Sequence, residues 1–170
     1  IAGIDAKLPG AWDISTGAGV TIGIVDTGLE TNHPDFLNNI NTAIDYDWID
    51  QDQDPSPIAG ENHGTSVAGV AAADGNNGLG VSGAAWNAEI VGLRLLGGPI
   101  SDQDIAESQV HESQIIDIYN NSWGPGSRTS IQTLGSGPQT TAALRDGAVN
   151  GRDGLGVIRV NSSGNGGPGS

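Results

Sequence analysis

The stretch Gly19–Phe36, GVTIGIVDTGLETNHPDF, opens on Val20, Ile22, Ile24 and Val25. Their near-continuous β-branched hydrophobicity is the pattern of a strand covered on both faces of a parallel sheet. Asp26 stands where that run ends, followed by a Thr-Gly turn. A carboxylate at the carboxyl end of a buried parallel strand lies where open α/β sheets place their sites, although a turn Asp bonding its own backbone has the same local signature. Working outward, strand-like segments over 20–25, 89–95, 115–121 and 155–161 alternate with helix-like segments over 63–73, 102–113 and 138–150. That alternation predicts an α/β fold, a parallel sheet with helices on both faces. No repeat, charge block or linker divides the chain, so residues 1–170 read as one unit.

Two further segments carry chemistry. In Gly60–Val70, GENHGTSVAGV, His63 precedes an apolar run of small residues, Val67 to Ala73, of helical length. A histidine at the first turn of a buried helix is placed as a general base would be; taken alone, a satisfied structural histidine is the commoner explanation. In Val157–Gly167, VIRVNSSGNGG, another strand runs into a glycine-rich turn where Asn165 is flanked by Gly164, Gly166 and Gly167. Glycines there let backbone and side-chain amide approach a substrate closely.

In the order Asp26, His63, Asn165, these segments resemble the subtilisin-like serine proteases, the subtilases, from about Trp12 to Gly167. IVDTG, HGTSVAG and SSGNGG are each short, but their joint occurrence is specific. LPGAWD, NHPDF, DQDPSP, NNSWGP, DGLG and SGNGG resemble the kexin and furin branch most closely. The resemblance implies a subtilisin-like fold and a serine endopeptidase in which His63 is the base, Asp26 its orienting carboxylate and Asn165 the oxyanion donor. The family's nucleophile lies in a Gly-Thr-Ser segment well after that asparagine. Ser66 belongs to the histidine motif, and Ser162 and Ser163 precede Asn165. The chain is therefore expected to be the N-terminal portion of the catalytic domain, with the nucleophile outside it, as on a companion chain after cleavage near Gly166–Gly169. A non-catalytic calcium-binding or scaffold fragment that keeps the fold is the rival expectation. A metallohydrolase built on His33, His63 and Asp26 is a third.

The same resemblance implies calcium. The loop Asp74–Gly83, DGNNGLGVSG, is similar to a subtilase calcium loop, which makes the Asn77 side chain, the Leu79 and Val81 carbonyls and Asp35 candidate ligands, a hard-cation donor set. The acidic run Asp45–Asp54, DYDWIDQDQD, reads either as a solvated loop or as a second cation site using Asp47 and Asp54, with Ser56 where a further carboxylate is expected. Ser122, Trp123 and Gly124 resemble the edge that pairs with an extended substrate, and Leu96 and Gly98 the opposite rim. The resemblance implies a preference for a basic residue at the cleavage point but not a stringent multibasic one, because Thr27, Gly60, Pro99 and Gly126-Ser127 stand where the branch's acidic pocket residues are expected.

Composition limits the rest. With 20 acidic against 6 basic residues the net charge is −14, which argues against nucleic acid or anionic membrane as partner. No apolar run approaches the ~18–20 residues that span a bilayer. The absence of cysteine excludes disulfide staples. Ile1, with no Met or signal-like segment, reads as a processed start, so the protein is expected to be secreted.

Overall fold

The structure, a computed structural model, describes residues 5–124 and 137–165. Five strands, β1 Thr21–Asp26, β2 Tyr46–Asp47, β3 Glu89–Arg94, β4 Ile118–Asn121 and β5 Ile158–Asn161, form one sheet in the order β2-β3-β1-β4-β5. Every strand pair in it is parallel. Among the described residues four α-helices accompany it, α1 Leu8–Trp12, α2 His63–Ala72, α3 Asp102–Ser108 and α4 Pro138–Gly154, with one 3-10 turn over Thr42–Ile44. All six residues of β1 are buried, as its hydrophobic run requires of a central strand.

The strand period of two divides the core. Ile22 and Ile24 of β1 and Ile90 of β3 join Leu29, Phe36 and the α2 residues Ala68 and Ala72 on one face. Val25, Val91, Leu93 and Tyr119 join Trp48, Leu95 and Ile116 on the other, with Ile105 of α3 packed against them. Helices therefore do cover both faces. From β1 the chain goes to the edge strand β2 and returns to β3 between them, then crosses to β4 and β5 on the other side, so β1 is the strand at which the winding changes side. The crevice at its carboxyl end is where such sheets place a site.

Several elements differ from expectation in extent. α2 is half-buried rather than buried all round, with Val70 75% exposed. Its last carbonyls are satisfied across the 74–83 loop by Ala84 N–H to Val70 O and Ala85 N–H to Ala71 O, as in a helix interrupted by an excursion. α3 stops at Ser108 instead of 113. α4 runs past 150 to Gly154, breaking at Arg152, where φ is 51°. β4 and β5 start at Ile118 and Ile158, the latter after a turn at Gly156 with φ 76°. Edge strand β5 keeps Ile158 51% and Val160 48% exposed, so among the described residues this side of the sheet lacks the cover the other strands have.

Candidate active site

α2 begins at His63, yet Asn62, its N-cap, makes no side-chain cap bond. The turn after β1 supplies the missing acceptor: Thr27 Oγ1 accepts the Gly64 N–H at 3.2 Å. The Glu30 N–H donates to Thr65 Oγ1 at 3.1 Å, a second stitch between the same segments. A Cβ at residue 64 would collide with the Gly28 carbonyl, so glycine after His63 is what lets the first turn of α2 close on the end of β1. His63 Nδ1 then lies 2.6 Å from Asp26 Oδ1, which also accepts the Thr27 N–H at 2.7 Å. Because a carboxylate only accepts, Nδ1 carries the proton and Nε2 keeps its lone pair. Asp26 is fully buried while the His63 side chain is 53% exposed. A buried anion thus orients an imidazole that solvent and substrate reach, the geometry of a general base. His33 takes no part, since its Nδ1 accepts the Asp35 N–H within its own turn.

The candidates for the substrate rims lie on either side of this pair at the carboxyl edge of the sheet. Leu96 follows β3 and Ser122–Gly124 follows β4, so by strand order they flank Asp26. Both Leu95 and Leu96 donate backbone N–H to Asp26 O, at 3.0 and 3.1 Å, fixing one rim to β1. Trp123 Nε1 donates to Val25 O at 2.8 Å, fixing the other. Gly98 is exposed beside Ile49, and Gly124 has open space around it. Asn165 is exposed beyond the end of β5, just after Gly164 at φ 83°. Gly126-Ser127 and Gly166–Gly169 lie outside the described residues.

In the 74–83 loop, Asp35 is 3% exposed. Its carboxylate accepts Asn77 Nδ2 at 2.8 Å and the Val81 N–H at 2.9 Å, and Asn77 Oδ1 accepts the Leu79 N–H at 2.9 Å. A Cβ at residue 80 would strike the carboxylate, so the loop closes directly over it. Burial opposes ionisation of Asp35, but the bonds from Asn77 and Val81 and the nearby His33 outweigh it and hold the carboxyl below its ordinary value. Asp35, Asn77, Leu79 and Val81 are thus brought together. The acidic run is engaged differently. Asp47 and Asp50 both hold Arg94 Nη1, at 2.5 and 2.7 Å, and Asp54 is exposed and accepts the Ser56 N–H at 3.1 Å. Asp45 is 1% exposed, and burial pushes its carboxyl up to about 7 despite the Gly92 N–H it accepts. Among the described residues no group of three His, Cys, Asp or Glu side chains is placed to hold a metal ion.

Sequence reasoning missed Thr27 as the acceptor that starts α2 and Arg94 as the counter-ion of the acidic run. The signals were a helix opening without its own cap residue, and a cation among very few in the chain, near an excess of aspartates.

The family described as Subtilase family matches residues 17–170. Proprotein convertase subtilisin/kexin type 4 of Mus musculus is 42% identical over 169 residues, covering 96% of this chain and 26% of that protein. Neuroendocrine convertase 2 of Homo sapiens is 39% identical over 173 residues, covering 97% and 27%. Among solved structures, a protease from Pseudoalteromonas arctica PAMC 21717 superposes with a TM-score of 0.68 at 30% identity, covering 91% of this chain and 52% of that one. The chain spans about a quarter of the length of the curated relatives it matches. No helix among the described residues is long and apolar enough to cross a membrane.

Proposed function

The chain belongs to the subtilase family, and on that premise we propose that residues 1–170 are the N-terminal portion of the catalytic domain of a secreted serine endopeptidase. The 2.6 Å contact between His63 Nδ1 and buried Asp26 carries the reading. His63 Nε2 takes the proton from a serine hydroxyl as it attacks the scissile carbonyl, and returns it to the leaving amine. Asp26 holds the tautomer and stabilises the imidazolium. Asn165 donates to the oxyanion of the tetrahedral intermediate. Ser122–Gly124 pairs with the extended substrate, and Leu96 and Gly98 wall the opposite side. The serine comes from polypeptide outside these 170 residues, whether continuous or a companion chain, and the uncovered β5 is the side on which that part of the domain would pack. Hydrolysis of an internally quenched peptide by the complete protein, blocked by a serine reagent, tests this. A folded protein that neither cleaves nor reacts would favour the scaffold reading.

We also assign a calcium ion to the Asp35 loop. Its donors are all oxygen once the Asn77 amide turns its oxygen inward, and the ion would replace the N–H donors now on Asp35. A cation bound only by the folded state stabilises it by about 2.7 kcal/mol at a hundredfold excess over its Kd. Chelation is expected to lower Tm and hasten autolysis, and Asp35→Asn to reduce the response to added calcium. Identical melting curves with and without calcium, in wild type and variant, would remove the site. Asp47 and Asp54 are the weaker second site, because Arg94 already neutralises Asp47.

Specificity follows from the carboxylates that remain free. Thr27 is used to start α2, Gly60 and Pro99 carry no charge, and Asp50 is held by Arg94. Burying an unpartnered substrate cation would be costly. The expected pattern is a modest preference for one basic residue at the cleavage point, falling with salt as the −14 field is screened. A second basic residue should add less than about tenfold in kcat/KM. Peptide pairs differing only at that position decide it; a gain of about a hundredfold would mean that carboxylates outside these 170 residues, or acidic loop residues such as Asp50 and Glu61, complete the pocket.

A further inference from the structure

The segment after β5 is joined to the substrate-pairing edge through Ser162. Its N–H donates to Asn121 O at 2.9 Å, one rung past the Asn121–Asn161 register of β4 and β5. Its hydroxyl donates to Trp123 O at 3.1 Å. Trp123 in turn donates its indole N–H to Val25 O, the carbonyl immediately before Asp26. Two side-chain bonds in series thus connect the carboxyl end of β1, the Ser122–Gly124 edge and the segment that carries Asn165. Between Ser162 and Asn165 the chain turns through Gly164 at φ 83°, a left-handed conformation that sets the direction in which Asn165 leaves the sheet.

We infer that Ser162 is a positioning residue for the oxyanion donor: its hydroxyl fixes where Asn165 stands relative to a substrate laid along Ser122–Gly124. The inference rests on the proposed endopeptidase reading and deepens it. An oxyanion donor is effective only within about 2.7–3.1 Å of the place where charge develops, and the edge segment determines where that place is. Any slack between the two elements enters that distance directly, and misplacement by about 1 Å costs on the order of 10²-fold in rate. Because Ser162 is exposed, the same bond contributes little to global stability. The hydroxyl is also committed to a backbone carbonyl rather than aimed at His63, which fits its exclusion as the nucleophile.

The test measures kcat, KM and Tm of the complete enzyme for Ser162→Ala, Ser162→Thr, Asn165→Ala and the Ser162→Ala/Asn165→Ala double variant. Ser162→Ala is expected to lower kcat about tenfold with KM and Tm unchanged, and Ser162→Thr, which keeps the hydroxyl, to retain most of the rate. In the Asn165→Ala background, Ser162→Ala should have almost no further effect, because the positioned group is gone. The inference is overturned if Ser162→Ala stays within about twofold of wild type, if alanine and threonine lose equally, or if the loss comes with a lowered Tm or persists undiminished without Asn165. An Asn165→Ala enzyme with full kcat would instead overturn the oxyanion assignment itself.

Discussion

His63→Ala in the complete enzyme is expected to reduce peptide hydrolysis by about 10⁶-fold in kcat, the size of loss found when the triad of subtilisin itself is broken. The reason lies in the contact that remains. Asp26 is fully buried and holds Nδ1 of His63, so among the described residues the imidazole is the group aligned to accept a proton from an incoming hydroxyl. His33, the nearest alternative by sequence, is turned to its own loop, where Nδ1 accepts the Asp35 N–H. Residual activity above water should persist, because oxyanion stabilisation and substrate binding do not depend on the base. Steady-state kinetics on purified variant check this, and retention of about a tenth of wild-type turnover would exclude His63 as the base.

Asn165→Ala is expected to lower kcat by about 10²–10³ with KM nearly unchanged. A donor that meets charge only in the transition state contributes to kcat and not to ground-state binding. The measurement is kcat and KM on one peptide substrate at fixed calcium. A rise in KM alone would transfer Asn165 from oxyanion stabilisation to substrate binding.

The position of the candidate residues was legible where it is set by local pattern. A run such as Thr21–Asp26 has one stable use, as a central parallel strand, and its last residue then falls at the sheet's carboxyl edge without reference to anything distant. His63 at the start of α2 was legible for the same reason. What could not be read were bonds between segments. The helix expected over 102–113 ends at Ser108 because the next residues are drawn into tertiary bonds: Gln109 Nε2 donates to Asn121 Oδ1 at 2.8 Å, and the His111 carbonyl accepts the Tyr119 hydroxyl at 2.5 Å. β2 consists of two residues in an acidic run and exists through its pairing with β3, where Asp47 meets Arg94. Nothing in the local pattern around Asp45–Asp54 announces that pairing. Thr27 was visible only as a missing carboxylate, whereas its hydroxyl acquires a purpose once Gly64 arrives beside it.

In the mechanism proposed above, the His63–Asp26 pair activates a serine supplied from outside these 170 residues. The most direct measurement of that activation is peptide mapping by mass spectrometry of the complete protein after reaction with a fluorophosphonate, in wild type and in His63→Ala. The expected result is one stoichiometric adduct in the wild type, on a serine outside these 170 residues, and none in the variant. An adduct on Ser66, Ser162 or Ser163, or equal labelling with and without His63, would contradict it.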